Sequence, residues 1–483
     1  MPTVVTTFAE LRSALVDTDE THVIFGADIS MGTTTGGIQI PNNKYTVIID
    51  GDDGAGGRYT FTDYGNASSG IGATGNTIRY PSADSNTHTV TMQNMIVNSQ
   101  NYYGVLYSPG GVNVQYVLRN VQYVGPQPFH NANGQVEMYD CDITLDKSIY
   151  SQTEEVAECN RAIIGGKTTI VHKPITTSYN IFNLSNNSAT RAVTIAAGAD
   201  VTINTTGFFF NSPDQGFIME EGAKLVYTAE TGAMADLSVT TPFILKDGAS
   251  FTLNASSGFV DGTTDRFGPI TVGKGASLTY GQTARNGSVS TLYCAGDFTV
   301  LEGGSVYLEA AYANPNELIE FYGSGRTLSL QQPKRFVLKS TVSTNSLINF
   351  SSTNRMEITS RQANLWTSAL SPTDPGGFTN PPDSAWHRIK ALAEEPFTPD
   401  VVIKGAATNT TFTLDADGTN LSTDEQALLP VFNVLVPAKA YVFAVGQLDL
   451  NANPIAEDGY PIFGRTEAGA NLEIDYTVDG QNY

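Results

Sequence analysis

The chain has 483 residues, with 26 Lys and Arg against 48 Asp and Glu, so its formal net charge is −22. This acidic balance argues against binding to nucleic acid or to anionic membrane surfaces, which need basic patches. No apolar run approaches the roughly 18 residues that a membrane span needs, so direct membrane insertion is not expected. Gly, Ser, Thr and Asn abound and only 15% of residues are charged, which is typical of an extracellular β-protein rich in turns.

A short amphipathic helix is predicted at the start of the chain. Residues 7–10 read as a capping box, with Thr at the N-cap and Glu at N3. Apolar side chains then recur on one helical face, at Phe8, Leu11 and Leu15. We expect this helix to cover one end of a larger fold, as an N-terminal cap over residues 1–18.

Short strands are predicted throughout the region that follows the helix. Each run is rich in β-branched and aromatic residues and is bounded by Gly, Asn, Asp or Ser, a pattern typical of β-strands. The runs cover residues 22–25, 45–49, 87–92, 95–97, 115–118 and 136–139.

A repeat of about one coil is the most informative feature of the chain. Five times, a glycine, a small residue and a polar residue precede an apolar-x-apolar run, and the leading glycines are spaced by 24, 26, 27 and 28 residues. They are Gly198, Gly222, Gly248, Gly275 and Gly303. A glycine at each corner supplies a positive φ or permits a close backbone approach, and alternate strand residues point into a shared core. Propeller blades need about 40–50 residues, so we predict an all-β, right-handed parallel β-helix.

Four parts are predicted along the chain: an N-terminal helical cap over 1–18, the parallel β-helix over 19–370, a linker or C-terminal cap over 371–400, and a β-rich Ig-like module over 401–483. The repeat fades near residue 367, and prolines and glycines crowd the next segment, which marks a boundary. The final strand-like runs read as a small β-sandwich. A C-terminal cap continuous with the β-helix is the alternative.

The order of the N-terminal motifs resembles that of a known family. Residues 5–15 look like a φ-x-[ST]-[WF]-x-E-L-x-x-A-L helix, residues 23–29 like an I-x-L-x-x-D-I strand, and residues 47–51 like a φ-x-I-D-G strand. These motifs and the glycine repeat resemble the pectate-lyase-like adhesive domain of Gram-positive bacterial surface proteins, over roughly residues 4–370. The resemblance implies a right-handed β-helix, display on the cell surface and adhesion. Residues 463–472 resemble bacterial Ig-like modules.

Lyase chemistry on this fold needs acidic Ca²⁺ ligands and a nearby Arg or Lys base. Asp140 and Asp142 would face the same side of a strand, and Arg161 follows about one coil later, which makes a lyase-like constellation. The W-I-D-H and R-x-P-x-x-R patterns of pectate lyases are absent, and the five histidines show no metal-ligand spacing. We therefore expect no catalytic residues, no metal site and no cofactor, with Ca²⁺ at the Asp140 group as the alternative.

The cysteines predict no disulfide framework. There are three of them, Cys141, Cys159 and Cys294, and an odd number leaves at least one unpaired. We favour free, buried thiols that pack as small apolar groups over a bond between Cys141 and Cys159.

Aromatic side chains near residue 110 are the candidates for ligand binding. Five tyrosines fall within about one coil, and outward rings of this kind stack on sugars or anchor protein partners, whereas inward rings stack in the core. We predict that the ligand-facing residues are Tyr102, Tyr103, Tyr107, Tyr116 and Asp140. A second run, Phe208–Phe210, would point at least one ring outward if it forms a strand.

Together these patterns predict the ectodomain of a cell-surface adhesin that binds a host-surface or cell-wall ligand, either glycan or protein, without catalysis. A polysaccharide lyase or glycoside hydrolase on the same fold is the first alternative, and a structural stalk or spacer is the second. We expect a monomeric, extracellular protein on the bacterial surface, with its signal peptide and anchor outside this sequence.

Overall fold

The computed structural model describes residues 2–366, except for 33–35, 65–76, 81–85, 109–112, 185–189, 212, 231, 238–239, 256–257, 261–265, 283–290, 311–317, 341–347, 350–353 and 360–361. Beyond residue 366 it describes only the strands at 384–387, 401–405, 412–415, 442–446, 477–478 and 481–482. The chain divides into two compact units, Met1–Pro242 and Phe243–Tyr483, called unit 1 and unit 2 below.

Unit 1 contains one helix, α1 (Phe8–Val16), among its described residues, and its other regular elements are strands. The strands are β1 (Thr3–Val5), β2 (His22–Phe25), β3 (Ile29–Met31), β4 (Ile38–Gln39), β5 (Thr46–Asp50), β6 (Thr60–Asp63), β7 (Ile78–Arg79), β8 (His88–Ser99), β9 (Leu106–Ser108), β10 (Val114–Val124), β11 (Phe129–Tyr139), β12 (Asp142–Asp146), β13 (Ala157–Gly165), β14 (Lys167–Lys173), β15 (Asn180–Leu184), β16 (Ala192–Ile195), β17 (Asp200–Thr205), β18 (Phe208–Asn211), β19 (Gly216–Met219), β20 (Lys224–Ala229) and β21 (Ala235–Asp236). Strand β22 (Thr241–Leu245) spans the division between the units.

Unit 2 is described as short strands throughout. They are β23 (Ser250–Ala255), β24 (Phe267–Val272), β25 (Ser277–Gln282), β26 (Leu292–Cys294), β27 (Phe298–Val300), β28 (Ser305–Ala310), β29 (Ile319–Phe321), β30 (Thr327–Gln331), β31 (Arg335–Ser340), β32 (Ile348–Asn349), β33 (Arg355–Thr359), β34 (Gln362–Trp366), β35 (Ser384–His387), β36 (Val401–Gly405), β37 (Phe412–Asp415), β38 (Val442–Gly446), β39 (Thr477–Val478) and β40 (Gln481–Asn482).

The strands of unit 1 stack into three parallel columns, which form the three faces of a coil. The first column runs β1-β2-β5-β8-β10-β11-β13-β16-β19, and the second runs β3-β6-β8-β10-β12-β14-β17-β20. The third runs β4-β7-β9-β11-β13-β15-β18-β21. Four long strands belong to two columns each, because they bend at a corner of the coil. They are β8, β10, β11 and β13. The predicted parallel β-helix is therefore confirmed.

The core of unit 1 lies between the three columns and is built by alternation along each strand. In β8, for example, buried Val90 and Met92 alternate with half-buried Thr89 and Thr91. The same alternation recurs in β14, β17 and β20. Because each coil buries its apolar side chains against the coils on either side, the stack shares one continuous core.

Helix α1 begins at the predicted capping box. The Thr7 side chain accepts a hydrogen bond from the Glu10 amide at 3.2 Å, and the Glu10 carboxylate accepts one from the Thr7 amide at 3.2 Å. These two bonds satisfy backbone amides at the N-terminus that have no hydrogen-bond acceptor within the helix. The helix packs on β1–β4 through the side chains of Phe8, Leu11, Ala14 and Leu15, all of which are buried.

The C-terminal end of α1 is held by a buried lysine. Lys44, which is 2% exposed, donates from Nζ to the carbonyl oxygens of Ala14, Leu15 and Asp17 at 2.9, 3.2 and 2.7 Å. A cation at this end of a helix satisfies open carbonyls and opposes the helix dipole. Burial lowers the pKa of Lys44, while the carboxylates of Asp17 and Glu20 act in the opposite direction.

The structure decides between the two reasons that the repeat left open for glycine at the corners. Gly198 and Gly222 in unit 1 have φ of 66° and 67°, and the three in unit 2 have φ of 64–70°. An added Cβ at Gly198, Gly222 or Gly275 would meet no atom within 4 Å. The left-handed φ, rather than a close approach of atoms, is therefore what requires glycine at these corners.

Unit 2 repeats the arrangement of three parallel columns, and its later strands then pair antiparallel. Its parallel columns are β23-β25-β28-β31, β24-β27-β30-β33 and β24-β26-β29-β32. Strand β38 then pairs antiparallel with β31 and β34, and β36 pairs antiparallel with β33. Most of residues 371–483 lies outside the described residues, so the linker and the Ig-like module stay predictions, as do the domain boundaries.

The structure also answers two questions that the sequence left open, on the Phe208–Phe210 run and on the cysteines. All three rings of Phe208–Phe210 are buried, so none of them offers an exposed ring to a ligand and they stack in the interior instead. Phe208 lies beneath the chain near Gly232, where an added Cβ would be 3.7 Å from its Cε1 atom. The three cysteines are free and buried, as favoured. Burial raises the pKa of Cys141 to about 11, so this thiol stays protonated at neutral pH.

Candidate functional site

A column of outward side chains runs along the third face of unit 1. Tyr107 of β9, His130 of β11 and Glu158 of β13 occupy successive register positions. Arg79 of β7 precedes Tyr107 in the column, and Asn183 of β15 follows Glu158. Adjacent strands lie about 4.8 Å apart, so neighbouring members of such a column are in contact.

Two rings of this column form a parallel stack. The ring centroids of Tyr107 and His130 are 4.6 Å apart, with 9° between the ring planes. His130 Nδ1 lies 3.0 Å from Oε1 of Glu158, so the imidazole also contacts this carboxylate. Tyr103 adds a third ring, with its centroid 5.3 Å from that of His130. Both tyrosines are half-buried, so part of each ring faces solvent.

The turn that carries Tyr102 and Tyr103 is built on a buried asparagine. Asn101 donates from Nδ2 to the Thr77 hydroxyl at 3.0 Å, and its Oδ1 accepts from the Tyr103 amide at 3.1 Å. Gly104 then turns the chain with φ of 90°, and an added Cβ there would lie 2.9 Å from the Pro128 carbonyl oxygen. The tyrosine rings are thus presented from a rigid turn rather than from a free loop.

Glu154 joins this aromatic group through two tyrosine hydroxyls. Tyr102 donates to Glu154 Oε1 at 2.7 Å, and Tyr179 donates to the same oxygen at 2.8 Å. Hydrogen bonding to this carboxylate, together with burial, raises the pKa of Tyr179 to about 12, and burial is the main cause of the raised pKa of Tyr102. Both hydroxyls therefore remain protonated donors. We call Tyr102, Tyr103, Tyr107, His130, Glu154 and Glu158 the tyrosine–histidine face.

A buried acid lies beneath this face. Burial raises the pKa of Glu155 to about 8, and the charges of Glu158 and Glu154 add to the shift. Its Oε2 has no hydrogen-bond partner among the described residues, and Asn183 Nδ2 donates to its Oε1 at 3.5 Å. Catalytic acids also have raised pKa values. However, Glu155 is only 3% exposed, so in this conformation a substrate has no access to it.

Tyr116 is a correction to the predicted site. Its side chain is 0% exposed and its hydroxyl donates to the carbonyl oxygen of Tyr107 at 2.5 Å. It alternates in β10 with outward Gln115 and shares the inward side with buried Val114 and Leu118. Tyr116 is therefore a core residue that supports the backbone of β9, and it is not ligand-facing.

Asp140 lies away from the tyrosines, at the far end of β11, ten residues after His130. It occupies a corner in the left-handed conformation, with φ of 56°, as do Asn94 and Asn120 at the same corner of earlier coils, with φ of 52° each. Its Oδ1 accepts from the Lys167 amide at 2.9 Å. Asp and Asn tolerate this backbone conformation better than other non-glycine residues. The structure accounts for Asp140 as a corner residue and separates it from the other predicted site residues.

The lyase-like constellation is not brought together by the register. Arg161 pairs with Gln135, five residues before Asp140, whereas Asp142 pairs with Thr169. From the sequence Arg161 could have lain beside the two aspartates, but the register does not place it there, because Tyr139, the neighbour of Asp140, pairs with Gly165, four residues after Arg161. In the part of the chain that the structure describes, no group of three or more His, Cys, Asp or Glu residues is arranged to hold a metal ion. None of the helices described there is long and apolar enough to cross a membrane.

His130, Glu154 and Glu158 were missed as site residues. Each belongs to a coil other than that of Tyr107, and successive coils here differ in length: Tyr107 and His130 are 23 residues apart, while His130 and Glu158 are 28 apart. The signal available in the sequence was local, since His130 follows inward Phe129 and therefore had to point outward. The spacing of residues in the sequence did not predict the strand register that stacks His130 on Tyr107.

The face combines apolar ring surface with acceptors and donors for hydroxyl groups. Partly exposed rings stack on the apolar side of a sugar or on an aliphatic side chain, and the carboxylates of Glu154 and Glu158 accept hydrogen bonds from hydroxyl or amino groups. The same carboxylates repel an anionic ligand. These groups lie together on one outward face of a β-solenoid.

Comparison with known proteins finds a related family for the N-terminal part of the chain. Residues 3–130 match the model of a family described as "Putative pectate lyase-like adhesive domain". The resemblance predicted from the N-terminal motifs is thereby confirmed, and the matched segment includes Tyr102, Tyr103, Tyr107 and His130. A search of the curated proteins gave no match.

Two solved structures are similar in part. One is "L. reuteri 53608 SRRP", with 15% sequence identity and a TM-score of 0.40, covering 73% of this chain and 98% of that one. The other is "L. reuters 100-23 SRRP", with 14% identity and a TM-score of 0.40, covering 73% of this chain and 95% of that one. At TM-scores below 0.5 we draw no conclusion about this chain from either.

Proposed function

We propose that this protein is a bacterial surface adhesin, and that unit 1 binds a glycan at the tyrosine–histidine face without catalysis. The observation that carries the proposal is the stacked pair of Tyr107 and His130, joined by Tyr103, on an outward face of a rigid scaffold. The match of residues 3–130 to an adhesive domain supports adhesion as the purpose of that face.

The chemistry of the face favours a neutral or amino-bearing glycan. Glu154 and Glu158 accept hydrogen bonds from sugar hydroxyl or amino groups, and they disfavour carboxylated or sulphated sugars by repulsion. The rings supply the apolar surface on which a pyranose stacks. A host-surface or cell-wall glycan of this kind is the proposed partner, and display outside the cell is the proposed location.

A glycan array tests the proposal with a matched pair of variants. The wild-type protein is expected to bind one class of neutral or amino-bearing glycan, and Tyr107→Ala to lose about tenfold in affinity, because tenfold corresponds to about 1.4 kcal/mol and a stacked ring contributes up to about 1.5 kcal/mol beyond the area it buries. The control is Tyr64→Ala, which removes a tyrosine that is 37% exposed and lies outside the face. Equal binding by the two variants, or binding confined to anionic glycans that Tyr107→Ala leaves unchanged, would refute the face as the site.

Catalysis is tested separately with polygalacturonate and Ca²⁺. We expect no unsaturated product, because the register separates Arg161 from the aspartates that a lyase would use. Turnover that Asp140→Ala abolishes would establish the lyase alternative instead.

A further inference from the structure

Unit 2 carries an open pocket of about 350 Å³ on the outer side of β25, β28 and β31. Its polar lining consists of two cations, three hydroxyls and one phenol, and no carboxylate is among the described lining residues. These side chains are Lys334, Arg335, Ser277, Thr279, Ser305 and Tyr307. In a chain with a net charge of −22, a pocket of this composition is unexpected.

The register of the three strands explains why these groups converge. Ser277, Ser305 and Arg335 occupy successive positions of one outward column, so they lie at the strand spacing of about 4.8 Å. Thr279 and Tyr307 are neighbours in the adjacent column. Lys334 immediately precedes β31 and is exposed at the rim, where its amide donates to the Gly304 carbonyl oxygen at 3.0 Å.

The guanidinium of Arg335 is held in place by Tyr307. Its Cζ lies 4.2 Å from the centre of the Tyr307 ring, and the Tyr307 hydroxyl donates to Glu309 Oε2 at 2.6 Å. Burial raises the pKa of Tyr307, so this hydroxyl stays a donor and keeps the Glu309 carboxylate engaged. A guanidinium stacked on a ring loses little freedom when it binds an anion, because its planar fork is already oriented.

We propose that this pocket binds a sugar unit bearing an oxyanion, either carboxylate or sulphate. The Arg335 fork matches the two oxygens of such a group, Lys334 adds a second positive charge, and the hydroxyls of Ser277, Thr279 and Ser305 suit the ring hydroxyls of the sugar. The volume falls at the small end of the range for ligand pockets, which fits one sugar unit. The site is independent of the tyrosine–histidine face, whose carboxylates favour the opposite charge.

Calorimetric titration with defined oligosaccharides tests this proposal. The probes are a glucuronate-containing hyaluronan tetrasaccharide, its methyl ester, and a chondroitin sulphate tetrasaccharide with its carboxylates esterified. We expect binding of at least one charged probe and about tenfold or greater loss with the uncharged ester, since only charge-assisted hydrogen bonds are removed. The two charged probes distinguish carboxylate from sulphate.

The variants are Arg335→Gln, Arg335→Lys and Lys334→Gln, with Lys224→Gln as the charge-matched control on unit 1. We expect about tenfold loss for Arg335→Gln, partial loss for Arg335→Lys, which keeps the charge without the fork, and a loss of a few-fold for Lys334→Gln. Lys224→Gln and Tyr107→Ala are expected to bind the charged probe like the wild type. Lys334 is exposed, so its variant stays informative even if Arg335→Gln unfolds.

Three results would overturn the proposal: no binding of either charged probe, equal binding of the ester, or equal binding by Lys334→Gln and Lys224→Gln. Loss of charged-probe binding in Tyr107→Ala would also overturn it, since the ligand would then lie on the other unit. The first three outcomes leave the tyrosine–histidine face untouched, because that face is tested with neutral and amino-bearing glycans and by comparing Tyr107→Ala with Tyr64→Ala.

Discussion

Several ionisable side chains are buried within the otherwise largely apolar core of unit 1. Glu155, Lys44 and His172 are buried polar residues of unit 1, and burial shifts the pKa of each toward its uncharged form. For His172 burial lowers the pKa to about 4, and its ring bridges the Thr205 hydroxyl and the Glu154 carbonyl oxygen. These residues make the stability of unit 1 depend on pH.

Glu155 predicts a loss of stability in alkali. Its pKa is raised from 4.5 to about 8 on folding, so the native state keeps a proton that the unfolded chain has lost. The contribution is complete below about pH 4.5 and disappears as the pH rises through about 8, at up to about 1.4 kcal/mol per pH unit. Glu155→Gln has no such proton to lose. Its melting temperature relative to that of the wild type should therefore rise between about pH 5 and pH 8 and level off above the folded-state pKa. A constant difference across this range would contradict the buried-acid assignment.

Lys44 predicts a stability effect at the first helix. Lys44→Met keeps the length of the side chain but removes three hydrogen bonds to the carbonyls at the end of α1. We expect a loss of about 2 kcal/mol in the free energy of unfolding, because buried carbonyls are left without donors. Lys147→Met is the control, since Lys147 is exposed. Chemical denaturation measures both, and similar values for the two variants would contradict the capping role.

Elements of this fold were predictable where one local rule governs them. The capping box located α1, alternation located the strands at residues 22–25 and 115–118, and the glycine spacing identified the coil. Register was not predictable, since coils of unequal length bring His130 onto Tyr107. Tyr116 was predicted to face a ligand because it belongs to a cluster of tyrosines. Alternation along β10 would have placed it correctly, since it points inward with Val114 and Leu118.

The corner glycines predict a substitution effect with a built-in control. Gly275 and Gly281 belong to the same coil, and an added Cβ would meet no atom within 4 Å at either position. Only Gly275 has a positive φ, of 64°. Gly275→Ala should therefore cost about 1–2 kcal/mol, while Gly281→Ala in strand β25 should be neutral or slightly stabilising. Equal melting temperatures for the two variants would show that the corner does not require glycine.

Helix α1 predicts the outcome of a terminal deletion. Removing residues 1–18 uncovers the apolar side chains against which Phe8, Leu11 and Leu15 pack, and it also removes strand β1 from β2. Exposed apolar surface and an open strand edge favour aggregation. We expect the shortened protein to aggregate or to melt at a clearly lower temperature, as followed by light scattering and circular dichroism. A monomer of unchanged stability would contradict the role of the helix as a cap.

At the scale of the whole molecule, the stacked coils of each unit provide a regular scaffold for outward side chains. Stacked coils present side chains at fixed intervals on their outer faces, and binding residues are readily placed on such rigid scaffolds. The two proposed sites differ in charge: unit 1 offers rings and carboxylates, and unit 2 offers an arginine, a lysine and hydroxyls. Binding at the unit 2 pocket should therefore weaken with added salt much more than binding at the unit 1 face.

Adherence of protein-coated beads to host cells tests the adhesin assignment most directly. Beads carrying the wild-type protein are expected to adhere, beads carrying Tyr64→Ala to adhere equally, and beads carrying the double variant Tyr103→Ala, Tyr107→Ala to lose about tenfold or more of their adherence. The double variant should keep its melting temperature within a few degrees, because both rings are half-buried on the outer surface. Wild-type beads that do not adhere, or a correctly folded double variant that adheres as well as the wild type, would contradict the account.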